Sequence, residues 1–383
     1  MKKRILALVL AATMVFSLAA CGSGDGGSTT AASGEGTTAA PAGDETTAAP
    51  AGDETTAAPA GDETPAAPTG DGTIKVGMVT DVGGINDHSF NQTSWEGLNR
   101  AASELGIEVT YVESKTDADY MPNIESLIDA ECDLIICVGF MLSEATKTAA
   151  ENYPDQKFAI IDDSANAELP NVACLMFEQA QASYLVGIVA GMMTEKNNVG
   201  FVIGMNTGPM NQFGYGYCAG VLDANPEATI QQYNANNFGD AGVGKTAAKD
   251  MVTKGADVIF HAAGGTGSGV IDGCAEEGIW AIGVDTDQNS LAPDTVVTSA
   301  MKRVDNASYD IAKAVLEGTY TAGVHTYGLT DGGVDLAPTQ TLLPADVLAA
   351  VEQAKQDIID GKITVPDNQA DFEAKYGEVY ELD

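Results

Sequence analysis

From Thr73 onward the chain alternates short apolar, β-branched runs with segments of helical periodicity, and it does so twice. The first series runs KVGMVT (75–80), IEVTYVE (107–113), DLIICVG (133–139) and KFAIID (157–162), with helical patterns near 89–104, 119–130 and 143–152. After VACLMF (172–177) and a long helical segment at 179–195 the series restarts with NVGFVIG (198–204), TIQQYNA (229–235), DVIFHAA (257–263) and AIGVD (281–285). Runs this apolar need burial on both faces, which a parallel sheet covered by helices provides. Two such series, each of about 110–130 residues, predict an α/β protein with two doubly wound parallel-sheet domains and a ligand cleft between them. The N-terminal lobe then takes residues 73–177 and about 300–330, and the C-terminal lobe 178–299 and about 331–383, with VVTSAM (296–301) passing back between them. Ligands of open parallel sheets sit at the carboxyl ends of strands. Asp81, Gly139, Asp162, Gly204, Gly264 and Asp285 all stand there.

The residues before Thr73 have another character. Lys2, Lys3 and Arg4 precede an apolar run, Ile5–Ala20, that ends Leu-Ala-Ala before Cys21, the pattern of a secretory signal. A cysteine directly after those small residues resembles the bacterial lipobox, so residues 1–20 are expected to be removed and Cys21 lipidated. Residues 21–72 form an acidic, Pro/Thr/Ala-rich linker that contains GDETTAAPA at 43–51 and 52–60 and GDETPAAPT at 61–69. It carries no aromatic residue and too little apolar bulk to offset the entropy of ordering, so it is expected to be disordered. No other stretch approaches the ~20 apolar residues of a membrane helix. The expected location is therefore the extracytoplasmic face of the cell membrane, through the lipid.

The formal net charge is −37, and loss of Lys2, Lys3 and Arg4 with the signal leaves −40. That field repels nucleic acid and anionic membrane surfaces, so no nucleic-acid partner is expected. Besides Cys21 there are five cysteines (Cys132, Cys137, Cys174, Cys218, Cys274) with no C-x-x-C spacing, and three histidines (His88, His261, His325). They predict buried structural thiols and no metal site.

Two glycine-rich stretches invite cofactor readings. GDAGVGKT (239–246) fits the phosphate-loop pattern, but polar residues 234–237 precede it where that loop needs a buried strand. Gly-Lys-Thr is better read as opening a surface helix. GGTGSG (264–269) does follow a strand and precede a helix, and Asp285 lies 21 residues beyond Gly264. That spacing occurs in any two successive βα units, so a dinucleotide cofactor gains little from it, and no cofactor is expected. No G-x-S-x-G elbow is present, and Asp162 and Asp163, adjacent on a strand, point to opposite faces. Catalysis is the minority reading, and binding fits better. Phe90 and Phe213 begin helices in different lobes beside Asn91 and Asn211, where an aromatic is either a staple into the core or one wall of a slot for a flat ring. Lys302, in TSAMKRVD, is either a solvated helix start or a donor to a carboxylate or hydroxyl.

VTDVGGINDHSFNQTSWEG (79–97) resembles the signature of the basic membrane protein (BMP) family of substrate-binding lipoproteins, which includes the purine nucleoside receptor A (PnrA) type. HAAGGTGSGV (261–270), AIGVDTDQ (281–288) and TSAMKRVD (298–305) resemble three further segments of that family, in the same order. The resemblance covers roughly residues 74 to 360. It implies the periplasmic binding protein type I fold and delivery of a nucleoside, purine foremost, to the permease and ATPase subunits of an ABC importer by a monomeric receptor that is not an enzyme. It also implies that Phe90 stacks on the base with Phe213 opposite, that Asn91 and Asp162 bond the base above Asp81, and that Gly265, Asp285 and Lys302 hold the ribose. The residues before Phe213 depart from the family's usual ones. A sugar or signalling ligand in the same fold is the alternative, with a Rossmann-type or carboxylate-based enzyme behind it.

Overall fold

A computed structural model describes residues 73–382. The signal segment, Cys21 and the linker to residue 72 lie outside the described residues. The strands are β1 (Lys75–Val79), β2 (Glu108–Val112), β3 (Leu134–Cys137), β4 (Lys157–Ile161), β5 (Val172–Phe177), β6 (Asn198–Ile203), β7 (Thr229–Asn234), β8 (Val258–Ala262), β9 (Trp280–Asp285), β10 (Val296–Lys302), β11 (Gly323–Tyr327) and β12 (Val334–Leu336). The helices are α1 (Phe90–Leu105), α2 (Tyr120–Asp129), α3 (Ser143–Asn152), α4 (Gln179–Met193), α5 (Gly208–Ala224), α6 (Ala241–Thr253), α7 (Gly264–Glu277), α8 (Val304–Leu316), α9 (Ala345–Ile359) and α10 (Gln369–Tyr376).

The strands form two six-stranded sheets, ordered β11-β5-β4-β3-β1-β2 and β12-β10-β9-β8-β6-β7. The first is parallel throughout, and in the second only β12 runs antiparallel, against β10. Within each sheet five consecutive strands take the doubly wound order 2-1-3-4-5, so β1 to β5 correspond one for one to β6 to β10. VVTSAM is no passage between lobes: it is most of β10, paired to β9 in the second sheet. Its apolar run resembles the other strands, but no long helix separates it from β9, which hid it in the βα rhythm. The chain crosses between the sheets after β5, after β10 and after β11.

Side chains of the central strands divide between two faces, as alternation demands. In the first sheet Val76, Met78, Leu134 and Ile136 enter one cluster while Val79, Ile135 and Cys137 enter another. The five cysteines of the described residues are buried and free. Helices α4 and α5 pack backbone to backbone: a Cβ on Gly220 would lie 2.1 Å from the Tyr184 carbonyl oxygen, so only glycine permits the approach. GDAGVGKT begins α6. Asp240 there accepts from the Gly242 and Val243 amides at 2.9 and 3.2 Å, and Lys245 pairs with Glu276 at 2.6 Å on the surface. Those loop amides are spent on the helix start.

Candidate ligand-binding site

The carboxyl ends of both sheets open onto one cavity with about 490 Å³ of empty space, part of it continuous with solvent. Asp81, Phe90, Asn91, Asp162, Phe213, Asp285 and Lys302 all line it, drawn from both sheets and their helices. Of the glycines at 264 and 265, only Gly264 lies on the wall. Gly265 backs onto the loop before α6, its Cβ position 3.3 Å from the Phe238 carbonyl oxygen.

On the first lobe the turn between β1 and α1 is organised by two aspartates. Asp87 accepts from the backbone amides of Ser89, Asn91 and Gln92 at 3.0, 2.8 and 3.1 Å, satisfying the otherwise unpaired N–H groups of the first helical turn. Asn91 donates one amide hydrogen to Asp81 at 2.8 Å and the other to Asp87 at 3.1 Å, while its oxygen accepts weakly from the Asp81 amide at 3.3 Å. Both of its hydrogens are spent inside the protein. Asn91 therefore offers a ligand only the spare capacity of Oδ1, and its larger task is to brace the two carboxylates. Burial pushes the Asp81 carboxyl up to about 6, against the hydrogen bonds from Asn91 and Gly83. Burial raises Asp87 as well, opposed by the amides it caps.

Asp162 and Asp285 follow or end equivalent strands, β4 and β9. Both adopt left-handed backbone, φ +63° and +64°, a conformation that costs a non-glycine residue energy and gathers at functional sites. Asp162 Oδ2 pairs with Lys302 Nζ, and the pair is buried on both sides. Asp162 lines the cavity, and its Oδ1 is buried with no hydrogen-bond partner among the described residues. Asp285 Oδ2 accepts from the Ser89 hydroxyl of the opposite lobe. Burial pushes the Asp285 carboxyl up to about 7, outweighing the pull of Lys302 and Ser89.

Lys302 is the last residue of β10 and 2% exposed, not a solvated helix start. Its ammonium lies 5.1, 5.1 and 5.5 Å from the ring centres of Phe90, Phe177 and Phe213, within cation–π range of all three. Four aspartates and one lysine thus line the cavity. Such a wall suits a neutral ligand rich in O–H and N–H donors and disfavours phosphate or carboxylate groups.

Sequence reasoning missed part of the wall. Phe140 follows Gly139 at the end of β3, and Phe238 follows the polar loop beyond β7. Their rings meet edge to face with centroids 6.4 Å apart, one from each lobe. The strand-end rule reaches Phe140, whereas Phe238 sits four residues past its strand and is marked only as a lone aromatic in a polar loop. Met210, on α5 one turn before Phe213, was also missed. His261 is a core residue of β8 that burial lowers to about 4, and His325 lies on the edge strand β11.

Residues 74–369 match the Bmp family, described as ABC transporter substrate-binding protein PnrA-like. The chain belongs to this family. The match spans both sheets and stops at the first residue of α10. A relative, the ABC transporter nucleoside-binding protein BmpA of Lactococcus lactis subsp. cremoris, is 36% identical over 315 residues, covering 76% of this chain and 89% of that one. The CD4+ T-cell-stimulating antigen of Listeria innocua is 38% identical over 314 residues, covering 76% and 88%. Among solved structures, an ABC transporter system solute-binding protein from Aeropyrum pernix superposes with a TM-score of 0.72 at 29% identity, over 80% of this chain and 97% of that one. The fold is the periplasmic binding protein type I fold, and the chain is a substrate-binding protein of the ABC transporter type.

Proposed function

We propose that this protein is the lipid-anchored, extracytoplasmic receptor of an ABC importer, and that it binds a nucleoside, purine best, between its lobes and presents it to the permease. One observation carries the reading: aromatic rings and strand-end carboxylates from both lobes meet on one cavity. A relative named for nucleoside binding, alike over most of both chains, supports it. Phe90 and Phe213 are the walls for the base. Asp162 Oδ1, with no partner among the described residues, accepts from the base edge, and Asp81 lies beneath, braced by Asn91. Asp285, Lys302 and the backbone at Gly264 take the ribose hydroxyls. The receptor acts as a monomer without cofactor or catalysis, Cys21 carries the lipid, and the closed form is what the permease and its ATPase recognise.

A thermal-shift screen of purine nucleosides, pyrimidine nucleosides and free pentoses tests this. Inosine, guanosine or adenosine should raise the melting temperature most. Phe90→Ala should weaken the best of them by about 1–3 kcal/mol through the lost stack. A shift with a pentose and none with any nucleoside would show the ligand class to be wrong.

A further inference from the structure

We infer that Gln288 latches the two lobes together over the ligand, as a positioning residue that does not touch it; the inference rests on the cleft-binding reading above. Gln288 lies in the turn after β9, three residues past Asp285, and is 1% exposed although it is not on the cavity wall.

Within its own lobe the residue is fixed twice, once through its side chain and once through its backbone. Its Oε1 accepts from the Val284 amide at 2.9 Å, and its backbone amide donates to Ser299 Oγ on β10 at 3.1 Å. The sheet leaves room for it: a Cβ on Gly283 would stand 2.5 Å from Ser299 Oγ and 2.6 Å from Gln288 Oε1. A side chain at 283 would expel the glutamine amide, so β9 is built around it. The turn is held further by Asp287, which accepts from the Asn289 amide at 3.2 Å and the Thr339 amide at 3.0 Å.

With one end anchored, the other reaches across the cleft. Gln288 Nε2 donates to the His88 carbonyl at 2.8 Å, a bond between residues 200 apart in sequence and in different lobes. His88 is left-handed, φ +52°. Its neighbours work on the same boundary, for Asp87 caps α1 and Ser89 donates to Asp285. Three successive residues thus set the first turn of the helix that carries Phe90, reach Asp285, and receive Gln288. The Gln288–His88 bond forms only when the lobes meet. A contact present in the closed state alone shifts the open–closed equilibrium toward closure and slows ligand escape.

Gln288→Glu separates the two tasks. It keeps an oxygen for the Val284 amide, loses the N–H donor and sets a carboxylate against the His88 carbonyl. In stopped-flow measurements on the full chain, inosine should dissociate about tenfold faster, the effect of losing roughly one buried hydrogen bond, with association changed less than about twofold. Because the tip of residue 288 faces the solvent-filled cleft once the lobes part, the melting temperature without ligand should stay within about 2 °C of the parent, which a purely structural role would not allow. Dissociation within twofold of the parent would overturn the latch. If the variant does not fold, the parent decides: inosine should slow hydrogen exchange of the Gln288 side-chain amide, and equal exchange with and without it would overturn the latch. Failure of the parent to bind any nucleoside would instead overturn the ligand reading and the ligand-driven latch together.

Discussion

Replacing Lys302 with methionine should lower stability by about 3–5 kcal/mol at neutral pH and abolish ligand binding, because it leaves the Asp162 carboxylate buried without its cation. The pair lies in near-complete burial, with side-chain exposures of 2% and 6%, and among the described residues Lys302 is the only cation on the cavity wall. Asp162 Oδ1 already has no partner, so among the described residues no other group takes up the charge. The three rings around the ammonium lose their cation–π contacts at the same time. Pairing Lys302→Met with Asp162→Asn should recover most of the stability, since a neutral pair of similar volume costs little in place of a buried ion pair. It should not recover binding. Urea unfolding of the two single variants and the double variant measures this; a double variant as unstable as the sum of the singles would show that the charges do not compensate one another.

A second large effect is a dependence on pH with opposite signs for stability and for affinity. Asp81 and Asp285 rise from the usual 3.8 to about 6 and about 7 in the folded protein, burial being the main cause for each. Between about pH 4 and those values the folded chain holds protons that the unfolded chain has released. The stability contributed by these two groups is fully present below about pH 4 and is lost as pH rises through 6 to 7, by of the order of 3 kcal/mol for Asp81 and about 4 kcal/mol for Asp285. Asp87 and Asp162 oppose ionisation of both groups, and Lys302 favours that of Asp285. A ligand whose hydroxyl and ring N–H groups donate to ionised carboxylates reverses the trend. Its dissociation constant should be about tenfold larger at pH 6 than at pH 8 from Asp285 alone, with proton release on binding between them. Asp285→Asn should bind more weakly at pH 8 and lose most of that slope. Calorimetric titrations at pH 5 to 8, in buffers of different ionisation heat, give both quantities; a flat affinity from pH 6 to 8 would show that Asp285 need not be ionised to hold the ligand.

The frame of the fold is readable in the sequence because β1, β3 and β8 are short, almost wholly buried runs whose only comfortable place is inside a parallel sheet. The parts that escaped lack that local mark. β12 has three residues and pairs with β10 antiparallel, a contact decided by the return of the chain rather than by periodicity. In the cavity, the strand-end rule found Asp81, Asp162 and Asp285 because topology alone places them. Lys302 was ambiguous, since its flanking charges suggest solvent, and only the meeting of β10 with β4's carboxylate buries it. The bracing role of Asn91 likewise depends on where Asp81 and Asp87 both point. Phe238 depends on a loop whose course no spacing encodes.

The most direct test is native mass spectrometry of the ligand-stripped protein, titrated at pH 8 with an equimolar mixture of purine nucleosides, pyrimidine nucleosides and pentoses. One purine nucleoside per chain should be retained, with a marked loss of that adduct in Phe90→Ala. Retention of a pentose with no nucleoside adduct, or a nucleoside adduct unchanged in Phe90→Ala, would contradict a ring-clamping nucleoside site between the lobes.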